Sequence, residues 1–385
     1  MIIDLPSTST SALNRRLVDL RETGGAVALG RVLTLVICTG EEEAEAAIAA
    51  ANDASREHPC RVLVVVTGTR RGVSRLDGQI RVGGDAGASE VVVARLYGEL
   101  ARHGDAVVVP LLLPDAPVVA WWPGEPPTVP SQDAIGAMAQ RRITDAGAAR
   151  RPARTLQALA AGHAGGDTDL SWSRLTLWRG LLAAALDQPP FESVTEAVVT
   201  GAGDSPSTDL LAAWLGTALD CPVTRVRTDD GTGVVGVRLV RPGGDVELVR
   251  PDGASTAVLT APGQPERRVA LPRRSVRECL AEEMRRLDPD EVYGEVLTQG
   301  LPRLGRSRRV SEARADAGGV GATAARAAAA DAAPSPTAPA PDRGAAPADA
   351  PPVHEPTDDS EVVTDGPRLP AAGTPTGTTE GGVTP

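Results

Sequence analysis

Residues 32–38 form an almost unbroken aliphatic and β-branched run, Val-Leu-Thr-Leu-Val-Ile-Cys, which predicts a buried strand. Thr39, Gly40 and Glu41 to Glu43 follow with capping-box spacing, and the acids sit where a helix dipole favours negative charge. A helix is expected from there to about Glu57, where His58, Pro59 and Cys60 break it. Residues 61–66 are a second apolar run. Strand-like stretches recur at 79–82 and 90–93, a helix at 94–103, and strands at 106–109 and 117–121. Strands alternating with helices in this way predict a mixed sheet with helices packed on it.

A Pro-rich loop over 123–130 leads to expected helices at 131–143 and 153–161, a loop at 162–169 and a strongly patterned helix at 171–186. A second α/β unit then begins with strand 194–200, helix 206–219 and strand 223–228. Apolar stretches at 234–240, 245–250 and 256–259, with Gly-containing turns at 242–244 and 251–253, predict an antiparallel meander. Two helices, 275–287 and 289–299, close the unit. The expected fold class is α/β: two α/β units with mixed sheets flanked by helices, covering 1–150 and 151–303. Residues 304–385 are rich in Ala, Pro, Gly, Asp and Thr and lack apolar periodicity, so a disordered tail is expected there.

Composition narrows the chemistry. The chain has 385 residues with 42% hydrophobic but only 2% aromatic content, so its cores must be built from Leu, Val, Ile and Ala. A net charge of −11 argues against a nucleic-acid partner, which would need a basic surface. All 39 basic residues are arginine, which excludes a Walker A lysine, a Schiff-base lysine and a Ser–Lys dyad. No signal-peptide pattern opens the sequence, and the most apolar stretch, 106–122, is interrupted by Pro110, Pro114, Asp115 and Pro117. No membrane span is therefore expected. Cys38, Cys60, Cys221 and Cys279 are widely spaced without a CxxC pair, which fits a reducing cytoplasm. Cys60 and Cys279 are the two to test for reactivity.

Catalytic signals are sparse. Thr200-Gly-Ala-Gly-Asp-Ser-Pro-Ser207 joins a strand to a helix, where anions bind, but Pro206 replaces the third glycine of a dinucleotide fingerprint and Asp204 repels phosphate. Ser205 as helix cap with Pro206 in the first turn accounts for the segment. The Gly-containing loop 67–72, with Arg70 and Arg71, reads as an exposed turn. Histidines 58, 103, 163 and 354 are too few and too scattered for a nucleophile–base pair.

The densest chemistry lies between 121 and 179. Four of the five tryptophans, Trp121, Trp122, Trp172 and Trp178, fall there with Arg141, Arg142, Asp145, Asp167, Asp169, Arg174 and Arg179. Trp and Arg anchor protein interfaces through large rigid area and bidentate contacts, so these eleven residues are the candidate partner-binding set. Leu175, Trp178 and Leu182 share one helix face, which also suits a core. Arg174 precedes Trp178 by one turn and is placed to lie over its ring. Trp121 and Trp122 point to opposite faces of a strand, so one is expected in a core and the other exposed or in an interface. Asp169 suits a helix N-terminus. No catalytic, cofactor or metal residues are assigned.

The same segments carry a family resemblance. Pro110-Leu-Leu-Leu-Pro-Asp-Ala-Pro, Trp121-Trp-Pro, Arg141-Arg-Ile-Thr-Asp145 and Gly166-Asp-Thr-Asp-Leu-Ser-Trp172 through Trp178-Arg179 resemble the OpcA family of glucose-6-phosphate dehydrogenase assembly proteins. Agreement extends to His58-Pro-Cys-Arg61, Leu211-Ala-Ala-Trp214, Leu271-Pro-Arg-Arg274 and the 282–293 segment. Leu177 stands where that pattern has proline. The resemblance implies a non-enzymatic partner that binds glucose-6-phosphate dehydrogenase, promotes its active oligomer or activates it allosterically, and so supports the oxidative pentose phosphate pathway and NADPH supply. The alternative is an α/β protein binding a sugar phosphate or nucleotide of its own.

Overall fold

A computed structural model describes residues 1–23, 32–83, 90–229 and 231–309. The expected tail lies, beyond residue 309, outside the described residues. The chain opens with β1 (Ile2–Leu5) and α1 (Thr10–Thr23), then β2 (Leu33–Thr39), α2 (Glu41–Ala54) and β3 (Cys60–Thr67). Next come β4 (Arg75–Arg81), β5 (Glu90–Tyr97), a short α3 (Gly104–Val108), β6 (Val118–Trp122) and β7 (Arg141–Thr144). Helix α4 (Pro152–Ala161) leads to β8 (Asp167–Asp169). These strands make one eight-stranded sheet in the order β1-β4-β5-β3-β2-β6-β7-β8, parallel except where β4 meets β5 and β1 meets β4.

Alternation in the central strands assigns their side chains to two cores. Leu33, Leu35 and Ile37 of β2 and Val62, Val64 and Val66 of β3 face α2. Val36, Leu63 and Val65 face the opposite way, toward Leu13 and Leu17 of α1 and Val107 of α3. Each such side chain stabilises by about 1.5–3 kcal/mol when fully buried, which explains why the strand positions read as continuous apolar runs. Arg61 and Glu90, paired across β3 and β5, meet at 2.9 Å with both side chains buried. Arg61 Nη1 also donates to the Leu111 carbonyl at 2.6 Å.

The chain continues through α5 (Leu170–Ser173) and α6 (Thr176–Leu186) into β9 (Glu196–Ala202), α7 (Pro206–Leu219) and β10 (Val223–Thr228). The meander follows as β11 (Val234–Val240), β12 (Val246–Val249), β13 (Thr256–Thr260) and β14 (Arg267–Ala270). Helices α8 (Val276–Arg285) and α9 (Glu291–Glu295), a π-turn at Val296–Gly300, α10 (Leu301–Arg303) and β15 (Arg308–Arg309) complete the described residues. The second sheet has seven strands in the order β14-β13-β12-β11-β9-β10-β15. Helices α4, α6 and α7 cover a core containing Leu156, Trp178, Leu182, Leu210, Leu211, Val237 and Leu248. Helix α8 is the exception to local packing: it presents Cys279, Leu280 and Met284 to the α2 side of the first sheet.

Several expected elements take another form. Residues 106–109 are helical because Val107 and Val108 both pack under the first sheet and Pro110 suits the following 3₁₀ turn. The expected helix at 131–143 is two 3₁₀ turns followed by β7. There Asp133 Oδ1 accepts from the amides of Ile135 and Gly136, a local alternative to helix bonding. Residues 94–97 prolong β5, and a 3₁₀ turn begins at Gly98 with φ +63°. Gly40 caps α2 without a side-chain bond, so Thr39 forms no capping box. Elements β1, α1, β8 and β14 have no counterpart in the periodicity of the sequence, being short or weakly patterned. The first α/β sheet extends through Asp169 rather than stopping near residue 150. At the other end, β15 pairs parallel with β10, so the expected tail begins with ordered backbone.

Candidate functional site

The tryptophan- and arginine-rich segment is where the ends of β7 and β8, the α5–α6 helices and the α8–α9 region meet. Sequence adjacency on β7 sends Arg141 and Arg142 in opposite directions. Arg141 pairs with Glu283 of α8 and donates to the Asp288 carbonyl at 2.8 Å. Arg142 pairs with Asp167 and donates to the carbonyls of Ala139, at 2.7 Å, and Gly165. Asp145 receives a bidentate pair from Arg174 at 2.8 and 2.7 Å. Ser173 donates to the second oxygen of Glu283, so one buried carboxylate ties β7, α5 and α8 together.

Asp169 caps α5 as expected, accepting from Ser171 N–H at 2.8 Å. It also accepts from Thr144 Oγ1 at 2.6 Å and Ala146 N–H at 2.8 Å. Burial, aided by the nearby Asp145 charge, pushes its carboxyl up to about 6 against these hydrogen bonds. The folded state therefore holds a proton that the unfolded chain releases near its ordinary value of 3.8. Stability from this group is full below pH 3.8 and is lost as pH rises through about 6. Asp169→Asn cannot titrate. Chemical denaturation at pH 4 and pH 7 should show the wild type losing about 2–3 kcal/mol relative to that variant over the interval.

All four tryptophans are buried. Trp121 and Trp122 are 1% and 5% exposed, and Trp172 and Trp178 are 1% and 2% exposed. Trp121 enters the α2 core and Trp122 the α1 core, which corrects the expectation that one of them stays outside: both sheet faces are covered. Trp121 Nε1 is buried without a hydrogen-bond partner among the described residues. Trp172 donates from Nε1 to Asp290 at 2.8 Å, and the Arg179 guanidinium lies 3.7 Å from its ring centroid. Arg250, not Arg174, sits over Trp178, at 5.2 Å, because Arg174 is held by Asp145. What the segment offers outward is narrower: exposed Leu177 and Gly180, flanked by half-buried Arg174 and Arg179.

A cleft of about 560 Å³ opens beside this cluster, at the carboxyl end of β9. Ser205 caps α7 there and Pro206 occupies its first turn, as the 200–207 sequence indicates. Arg174, Arg250, Arg273 and Arg274 line the cleft with Ser171, Asp145 and Asp204. Arg273 belongs to the Leu271-Pro-Arg-Arg274 motif but was not assigned to a site, and Arg250 carries no motif and was missed. The one available signal is that Arg250 ends the Val-Glu-Leu-Val run of β12, whose neighbours are buried. The 67–72 loop is exposed apart from half-buried Gly68.

The remaining candidates are inert. Cys60 and Cys279, the two cysteines marked for a reactivity test, are fully buried. Burial pushes the Cys279 thiol up to about 11 and the Cys38 thiol well above its usual range. His163 packs edge-on against Tyr293, and burial lowers its basicity. Among the described residues no group of three or more His, Cys, Asp or Glu is placed to hold a metal ion. No helix among them is long and apolar enough to cross a membrane.

Two family models match the chain in succession. Residues 51–161 match the N-terminal domain of the glucose-6-phosphate dehydrogenase subunit family, and residues 165–297 match the C-terminal domain of the same family. No curated protein matches the chain. Among solved structures, a glucose-6-phosphate 1-dehydrogenase from Mycobacterium avium is 11% identical, with a TM-score of 0.36 over 72% of this chain and 94% of that one. A putative oxidoreductase from Erwinia carotovora atroseptica is 9% identical, with a TM-score of 0.36 over 72% of this chain and 99% of its own. Likeness at that level carries no functional argument. The two family matches meet at the loop between α4 and β8 and take in the GDTDL segment and the paired arginines of β7, and on them the chain belongs to the OpcA family of glucose-6-phosphate dehydrogenase assembly proteins.

Proposed function

We propose that this chain is a non-catalytic subunit that binds glucose-6-phosphate dehydrogenase and favours its active oligomer, supporting NADPH supply in the cytoplasm through the oxidative pentose phosphate pathway. The observation that carries this reading is the ordered pair of family matches across residues 51–297. The geometry agrees with it. Asp145 and Asp167 are committed to arginines and Asp169 to a hydroxyl and two backbone amides, an arrangement suited to a rigid scaffold. The proposed contact is the outward edge of α6 at exposed Leu177 and Gly180, bordered by half-buried Arg174 and Arg179. Of the candidate set, Asp145 holds Arg174 and Trp172 lies under Arg179, with Trp178 in the core beneath, whereas Trp121 and Trp122 are buried in the two cores of the first sheet.

An activator acts by binding the active form more tightly than the inactive one. A coupling of about 1–3 kcal/mol would raise the dehydrogenase's substrate affinity roughly 5- to 150-fold. Mixing the two proteins and following NADPH formation across glucose 6-phosphate concentrations should show that shift, with co-elution on a sizing column. Unchanged kinetics and separate elution would refute the assignment.

A further inference from the structure

We infer that the cleft at the carboxyl end of β9 is a binding site for a phosphate monoester, with Arg250 and the N-terminus of α7 as its anion-holding groups. Arg250 is 4% exposed, yet among the described residues no carboxylate lies in ion-pair reach of it. Its guanidinium is held by two neutral carbonyls, Leu271 at 3.0 Å and Val234 at 3.2 Å, and by the Trp178 ring. Its Nε is buried without a partner. A buried, always-donating group left with neutral acceptors is costly unless an anion completes it. Burial, reinforced by the charge of Arg273 and only partly offset by Asp252, which is itself paired with Arg273, brings its pKa down to about 10.

A second group in the same cleft is also incomplete. Ser171 is 1% exposed and its Oγ has no hydrogen-bond partner. The cleft's third component is the start of α7, a 14-residue helix whose positive end faces the space and whose one first-turn acid, Asp209, is paired with Arg225. The other arginines do not compete for the role. Arg174 is matched by Asp145, Arg273 by Asp252 and Arg274 by Glu282, which leaves Arg250 as the surplus charge. Asp204 stands exposed at the mouth, where water screens it and where it can accept from hydroxyl groups. That pairing of a buried cation with a rim carboxylate favours a phosphorylated polyol over a bare anion. The volume of about 560 Å³ is of the size that holds such a small molecule. The comparable crevice of the first sheet, at the ends of β2 and β6, is unsuited because Glu41, Glu42 and Glu43 occupy the first turn of α2.

The test is calorimetry of the full chain alone, titrated separately with glucose 6-phosphate, inorganic phosphate and unphosphorylated glucose. Saturable binding of glucose 6-phosphate, weaker binding of phosphate and none of glucose is the expected result. Saturation by phosphate with equal strength would support the anion site and reject the polyol preference. Arg250→Gln should weaken binding at least about tenfold, the loss of one charge-assisted contact. Ser171→Ala, which removes only an unpartnered hydroxyl, should weaken it several-fold and serves if the first variant fails to fold. Absence of saturation by either phosphate compound up to about 10 mM, a Kd too weak to matter, overturns the proposal. Undiminished binding in both folded variants overturns it equally. Because no dehydrogenase is present, failure here leaves the assembly role standing.

Discussion

Glu283→Ala is expected to destabilise the protein by about 3–5 kcal/mol, read as a lower midpoint in urea denaturation. The carboxylate of Glu283 is 5% exposed and holds both Arg141 of β7 and Ser173 of α5. Deleting it leaves a guanidinium buried on the β7 side with only the Asp288 carbonyl, and a hydroxyl without its acceptor. The penalty comes from stranding the arginine, not from the attraction lost. The double variant Arg141→Met, Glu283→Leu should therefore recover most of the stability, since apolar groups of similar volume often replace a buried pair without loss. A double variant as unstable as the single would show that the pair's value lies in something other than charge compensation. The same variants separate stability from function: dehydrogenase activation should fall only as far as the folded fraction falls.

Gly166→Ala should be nearly as damaging, by about 2–5 kcal/mol. Gly166 has φ +90°, a conformation that costs an L-residue about 1–2 kcal/mol. A Cβ there would run into the Gln140 carbonyl oxygen and approach the Arg142 guanidinium to 3.1 Å, adding about 1–3 kcal/mol of overpacking. The clash falls where Gly166 O receives the Arg142 amide and where Arg142 reaches Asp167. Thermal denaturation followed by circular dichroism checks it, and a midpoint within a degree or two of wild type would refute the steric account.

Legibility in the sequence tracks how local each determinant is. The β9–α7–β10 unit is readable almost to the residue because its signals are adjacent: a Val-rich strand, then Ser205 and Pro206, then an apolar helix. The α8 start is misplaced by one residue only, since Ser275 and Glu278 form a reciprocal capping box. By contrast, β7 looks helical because nothing near Arg141 announces that its partner is Glu283, 142 residues away. The same holds for the candidate site. Clustering of tryptophan and arginine is visible, but whether a Trp faces a partner or a core depends on what covers the sheet. Helix α8, which closes one face, comes from more than a hundred residues further on. Arg250 escapes notice for a related reason: an unpaired charge is recognised only when every neighbour is known.

The placement of the tryptophans also makes the molecule report optically on its own layers. Trp121 and Trp122 are sequence neighbours, yet one lies among the side chains under α2 and the other among those under α1. Trp172 and Trp178 belong to the third cluster, around the second sheet. The fifth tryptophan, Trp214, packs against that same cluster, and with two tyrosines and one phenylalanine in the whole chain little other ring fluorescence competes. Variants retaining one indole each would let the loosening of either face of the first sheet be watched separately from that of the second, while the dehydrogenase is added.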